Sequence, residues 1–147
     1  MKFGDRIVFF QGTFDIVNCG HIRAMALAKS YGDKLVVGLN TDELIFKDKG
    51  RESILPYSQR KEIVEAVRYV DLVIPCDQEL ALPYLEMLDA DVFVLTEEWR
   101  ERHLTTGIAY MEAKGGQVVY SPRWPDITFG TQIRRKLYNE FHDQGAD

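Results

Sequence analysis

A histidine that opens a helix behind a glycine-bearing turn can meet an anion, and the stretch GTFDIVNCGH, Gly12 to His21, has that form. Gly12 admits a phosphate close to the backbone, and His21 falls where helix-terminal N–H groups and the helix dipole favour negative charge. The bland alternative is an ordinary strand-to-helix turn with a capping residue. Other segments carry side chains suited to the same ligand. KDKGR (Lys47 to Arg51) supplies cations. PRWPDITFGT (Pro122 to Thr131) places Arg123 ahead of Thr128 and Thr131. Two hydroxyls at a helix start behind an arginine can hold triphosphate oxygens; simple N-capping is the plainer use of threonine. Neither GxGxxG nor GxxxxGK[ST] occurs, which weighs against a dinucleotide oxidoreductase or a P-loop NTPase.

These segments need a scaffold that brings them together. Five short apolar runs, at Arg6 to Phe10, Lys34 to Leu39, Asp71 to Pro75, Asp91 to Leu95 and Gln117 to Tyr120, are mostly continuous and rich in Val, Ile and Phe. Strands buried on both faces of a parallel sheet read this way. Helix-like segments alternate with them. One carries Ile22, Met25, Ala26 and Lys29 and stops by Gly32; another puts Ile63, Val64 and Val67 on one face. In a third, Pro83 must sit near the start or cause a kink. The alternation predicts an α/β fold: one doubly wound, Rossmann-like domain over residues 1–147, with a mainly parallel five-stranded sheet and a polar tail from about residue 143. Ligands of such sheets bind beyond the carboxyl ends of the strands. The loops to examine are therefore 11–21, 40–51, 96–102 and 121–131.

Composition narrows the partners. The 147 residues are 46% hydrophobic with a net charge of −5, enough for a core and unlike a general nucleic-acid surface. No run approaches the ~18 apolar residues of a membrane span, and the first residues read as a strand rather than a signal peptide. Cys19 and Cys76 are too few for a zinc site or a disulfide framework, so the expectation is a cytoplasmic protein with no metal site of its own. His103 and His142 stand in no motif and are expected at the surface.

Gly12, Thr13, Phe14, Asp15, Gly20 and His21 together resemble the G-T-F-D-x-x-H-x-G-H signature of the cytidylyltransferase-like nucleotidyltransferases, with Asn18 in place of the first histidine. NTDEL (Asn40 to Leu44) resembles the family's segment after its second strand, and Lys49 matches its functional lysine. PYSQRKEIVEAVRYVD, Pro56 to Asp71, resembles a run of the glycerol-3-phosphate cytidylyltransferase branch and carries Arg60 and Arg68. Thr96, Glu97, Glu98 and Trp99 stand where that branch has G-D-D-W. The closing motif is matched by Arg123, Ile127, Thr128, Thr131 and Ile133 with one inserted residue, while TFGTQIR is similar to a variant in adenylyl-transferring relatives.

The resemblance implies transfer of CMP from CTP to a small phosphorylated alcohol, glycerol 3-phosphate favoured, with release of pyrophosphate. It assigns catalysis to His21, Asn18, Lys49 and Arg123. Gly12, Thr13, Phe14, Asp15, Gly20, Arg68, Asp71, Ile127, Thr128 and Thr131 would bind the nucleotide, and Lys49, Arg51, Glu98 and Trp99 the acceptor. Asp15 is also a candidate to orient a ligand or the His21 tautomer. Magnesium would accompany the triphosphate, and relatives with this RYVD segment imply a homodimer through the surface around Tyr69 and Val70. Asn18 brings a neutral hydrogen bond where an imidazolium would bring charge. It leaves open a slowed enzyme, an altered donor or acceptor, a non-catalytic nucleotide-binding protein or a substitution engineered to trap substrates, while TFGTQIR leaves open an adenylyltransferase.

Overall fold

Continuous apolar strands need cover on both faces, and the register of this sheet provides it. In the computed structural model, which describes residues 4–100 and 105–145, the strands are β1 (Ile7–Gly12), β2 (Lys34–Asn40), β3 (Leu72–Cys76), β4 (Val92–Thr96) and β5 (Gln117–Ser121). All pairings are parallel, in the order β3-β2-β1-β4-β5. The helices are α1 (Cys19–Ser30), α2 (Asp42–Lys49), α3 (Tyr57–Glu65), α4 (Leu82–Leu88), α5 (Thr105–Ala113) and α6 (Gly130–Gly145). Val8, Phe10, Val37 and Val94 pack with Met25 and Ala28 of α1 and Val64 of α3. The intervening Phe9, Val36 and Phe93 pack with Leu85 of α4 and Met111 of α5. The period-two pleat thus buries successive residues on opposite faces. Strand order reverses between β1 and β4, so a crevice opens at their carboxyl ends.

Several expectations change in detail. Segment 40–51 is mostly helix, because Thr41 Oγ1 caps α2 by accepting from Leu44 N–H and Gly50 closes it at φ 65°. On α1 the buried stripe is Ala24, Met25 and Ala28, with Ile22 only half-buried. Helix α3 ends at Glu65, burying Val64 while Ile63 stays exposed. Pro83 lies in the first turn of α4, where its missing N–H costs nothing. In place of a tail from residue 143, α6 continues to Gly145. His142 is exposed, as expected, whereas His103 lies outside the described residues.

One buried cation ties the loops above the crevice. Arg60 is 0% exposed. Its guanidinium donates to the carbonyls of Leu55, Thr13 and Asn40 at 2.9, 3.0 and 2.8 Å, and to Asp42 Oδ1 at 2.7 Å. Asp42 also accepts from Ser53 Oγ and Tyr57 N–H. Burial pushes its carboxyl upward, but these donors more than offset that and hold it below the usual value. The ends of β1 and β2, the start of α2 and the 53–57 turn therefore share one polar knot. Removing the guanidinium leaves three loop carbonyls without their donor, and removing the partly exposed Asp42 leaves a buried cation without its counter-charge. Arg60→Met is expected to lower unfolding stability by about 3–5 kcal/mol, measured as a loss of urea midpoint with an unchanged slope.

Candidate active site

The crevice is a cavity of about 610 Å³ between the carboxyl ends of β1 and β4 and the start of α6. Its first wall is the turn after β1. Phe14 adopts φ 47°, a left-handed conformation that is uncommon for a bulky residue. Its ring folds back over Gly12, where a Cβ would lie 2.7 Å from the ring. Gly12 is bare because Phe14 needs the space, a reason different from the phosphate approach expected of it. The same ring stands edge-on to His21, with centroids 5.2 Å apart, and is itself buried.

Asn18 is the N-cap of α1. Its Oδ1 accepts from Gly20 N–H at 2.9 Å and from the third helical residue, and its Nδ2 donates to the Ile16 carbonyl. In return, its backbone N–H donates to His21 Nδ1 at 3.2 Å, completing a capping box. The Gly20 and His21 amides, expected to be free for an anion, are thus engaged by Asn18 itself. With Nδ1 accepting, the neutral His21 ring carries its proton on Nε2. Burial lowers the His21 pKa, and a nearby Ile16 carbonyl opposes the shift.

Lys49 reaches the cavity from the end of α2. Burial lowers its pKa first, then the positive charges of Arg51 and Arg134, against the opposing pull of Asp15 and Glu98. Arg123, Thr131, Glu98 and Trp99 also border the space, as do Thr13 and Gly20. Asp15 borders it too but is committed elsewhere. Its carboxylate accepts from Ile54 N–H, Leu55 N–H and Arg134 Nη2 at 2.8, 2.9 and 2.9 Å. It pins the 53–57 turn and α6 rather than the His21 tautomer.

The remaining expected residues stand apart. Arg51 donates to the Glu52 carbonyl and does not border the cavity. Arg68 lies over the Tyr69 ring, and Asp71 ties Lys29 and Leu35 N–H at 2.5 and 2.8 Å. Both precede β3, so they sit at the amino edge of the sheet, away from the carboxyl-end crevice. Ile127 is buried, and with Thr128 it borders a separate hollow beside Gln132, Arg135 and Lys136. Arg134 and Asn40, to which the sequence assigned no role, do border the cavity. Arg134 lies one helical turn after Thr131, a spacing that puts both on one face of α6. Asn40 donates to Thr13 Oγ1 and accepts from Gln11 Nε2, fixing three polar side chains at the cavity floor. Carboxylates of Asp48, Glu79 and Glu97 complete the polar lining.

Residues 9–136 match the family model described as cytidylyltransferase-like. A glycerol-3-phosphate cytidylyltransferase of Staphylococcus aureus is 35% identical over 137 residues, which cover 90% of this chain and 96% of that protein. The bifunctional protein HldE of Citrifermentans bemidjiense is 33% identical over 116 residues, 78% of this chain but only 24% of HldE. Among solved structures, a lipopolysaccharide core biosynthesis protein of Thermoplasma volcanium superposes with a TM-score of 0.65 at 21% identity. The match covers 82% of this chain and 98% of that one and shows the shared fold.

The capping geometry has two measurable consequences. Asn18→Ala should destabilise the protein by about 1 kcal/mol and Asn18→Ser by less, read from urea unfolding. For His21, the folded pKa lies below the unfolded value of 6.5. As pH falls from 6.5 through the lowered value, the unfolded chain binds more protons and stability declines. His21→Gln keeps the box, since glutamine at that position makes the same reciprocal bond. It should lose that share of the decline when unfolding is measured from pH 8 to 5.

Proposed function

This chain belongs to the cytidylyltransferase-like family, and from that premise we propose that it transfers CMP from CTP to a small phosphorylated alcohol, releasing pyrophosphate. The carrying observation is the cavity at the β1/β4 reversal bordered by His21, Lys49, Arg123 and Arg134. Glycerol 3-phosphate is the favoured acceptor, supported by the 35% identical relative that bears its name. An acceptor phosphate oxygen attacks the α-phosphorus; the new P–O bond forms as the bond to the bridging oxygen breaks, and pyrophosphate departs with that electron pair. The attacking oxygen is already anionic, so no base is required, and catalysis rests on position and charge.

His21 donates from Nε2, while Lys49, Arg123 and Arg134 bring positive charge to the phosphates. Among the described residues, no group of three or more His, Cys, Asp or Glu side chains could hold a metal ion. Magnesium is therefore proposed as the counter-ion of the triphosphate, with no step assigned to it. Adenylyl transfer is the second reading, favoured by the TFGTQIR segment that opens α6. We further propose a homodimer in the cytoplasm. Among the described residues, no helix is long and apolar enough to cross a membrane. Tyr69 and Val70 are half-buried against the core of their own chain, which leaves part of each for a partner.

The decisive assay follows pyrophosphate release with CTP or ATP over a panel of phosphorylated alcohols. CTP with glycerol 3-phosphate is expected to give the highest kcat/KM. A faster reaction with ATP would select the second reading, and CTP binding without turnover against any acceptor would make the chain a nucleotide-binding protein. Lys49→Ala should reduce kcat by about ten- to 150-fold, the loss of one hydrogen bond to a charged group in the transition state. Light scattering should give twice the 17.0 kDa chain mass.

A further inference from the structure

Arg123 is held differently from the other arginines around the site. Arg60 and Arg134 both have carboxylate partners, and Arg23 is paired in bidentate fashion with Asp126. Arg100 lies over the Tyr120 ring but is also bonded twice to Glu97. Among the described residues, no carboxylate pairs with Arg123. Its guanidinium carbon stands 4.6 Å from the centroid of the Phe129 ring. That ring also meets the start of α1. A Cβ built on Gly20 would lie 3.0 Å from Phe129 Cε1, so the ring edge rests against the opening turn of α1. The backbone is pinned as well, since Phe129 N–H donates to Gln132 Oε1 at 2.9 Å in the first turn of α6. Arg123 and Phe129 both border the cavity.

We infer that Phe129 is a positioning residue: it presents the Arg123 guanidinium to the phosphates of the bound nucleotide, and it does so through its ring face. The inference rests on the nucleotidyltransferase reading. A carboxylate at this place would hold Arg123 more firmly but neutralise the charge that the ligand must meet. An aromatic face orients the cation and leaves its five N–H donors and its net charge available. Gly20 has no side chain, which lets the ring close onto α1 and couples the His21 helix to the Arg123 loop. A phenylalanine in a phosphate-facing segment otherwise lacks a chemical reason, because it can donate nothing to an anion.

Calorimetric binding of magnesium–CTP and magnesium–ATP to the full chain tests this with Phe129→Leu, Phe129→Trp, Arg123→Ala and the Phe129→Leu/Arg123→Ala double variant. Melting temperature is recorded for each to establish folding. Leucine keeps apolar bulk beside Gly20 and removes the ring face, so Phe129→Leu should bind about two- to fivefold more weakly. Phe129→Trp should bind within twofold of wild type. In the Arg123→Ala background, Phe129→Leu should add no further loss, because its effect passes through the missing guanidinium. Equal losses from Phe129→Leu in both backgrounds would assign the ring a merely structural role and overturn the inference, as would a folded Phe129→Leu protein that binds like wild type. Either result leaves the nucleotide reading intact. A wild-type chain that binds neither nucleotide would overturn both.

Discussion

The fully buried guanidinium of Arg60 is the constraint on which the upper edge of this molecule depends. Parallel strands deliver their carboxyl ends to one edge, but the loops that leave them diverge and carry polar backbone groups under cover. Arg60 gathers three of those carbonyls and the Asp42 carboxylate onto one planar fork. Lysine would bring a single point charge with no fixed fork to match them. Because Thr13 and Asn40 are both held, the turn carrying Phe14 and the start of α2 keep a set spacing, and His21 and Lys49 are placed from opposite sides of the crevice. Asp15 repeats the device with inverted sign, accepting two backbone amides from the 53–57 turn and Arg134 from α6. The two buried charges divide the work. Arg60 fixes the β1 and β2 side of the site, and Asp15 fastens the last helix across it.

Asn18 shows how a local physical demand reshapes a ligand site. Four N–H groups at the start of α1 need acceptors. Asn18 supplies one through its side chain, and His21 answers by accepting from the Asn18 backbone. The exchange removes α1 as a bare anion-binding terminus, yet it orients the imidazole and assigns its proton to the far nitrogen. The histidine is thereby prepared to donate while neutral. Under the proposed reaction, charge for the phosphates would then come from Lys49, Arg123 and Arg134, which border the cavity from three separate places along the chain.

The parallel sheet was readable in the sequence because burial on both faces leaves unbroken apolar runs, and each of the five runs became a strand within one or two residues of its expected place. Helix α2 was also written in the sequence, with Thr41 ahead of Asp42 and Glu43, lysines in the last turn and Gly50 after it. It is only eight residues long and five of them are charged, so the loop that commonly follows a strand is the stronger expectation. The placement of Arg68 and Asp71 failed for a topological reason. A residue just before a parallel strand lies at the edge opposite the ligand, and that edge follows from chain direction alone. Arg60 had the opposite fate. In sequence it is one charge among several on an amphipathic helix, and nothing local says that three of its four partners lie 18 to 47 residues away.

The lowered pKa of Lys49 carries the electrostatic argument one step further. Burial is the largest cause, and the positive charges of Arg51 and Arg134 add to it against the pull of Asp15 and Glu98. Under the proposed reaction, a negatively charged ligand beside Lys49 would favour its charged form and release free energy. The free energy released belongs to the charged state that gathers the most negative charge. For phosphoryl-centre chemistry that state is the one in which pyrophosphate is leaving. A fully compensated site would lack this bias. Every cation would already have its carboxylate, and substrate and transition state would be met alike. The cations at Arg60 and Arg134 are each paired with a carboxylate, whereas among the described residues none is hydrogen-bonded to Lys49 or Arg123, which suits these two to the charge-responsive part given to them in the proposed reaction.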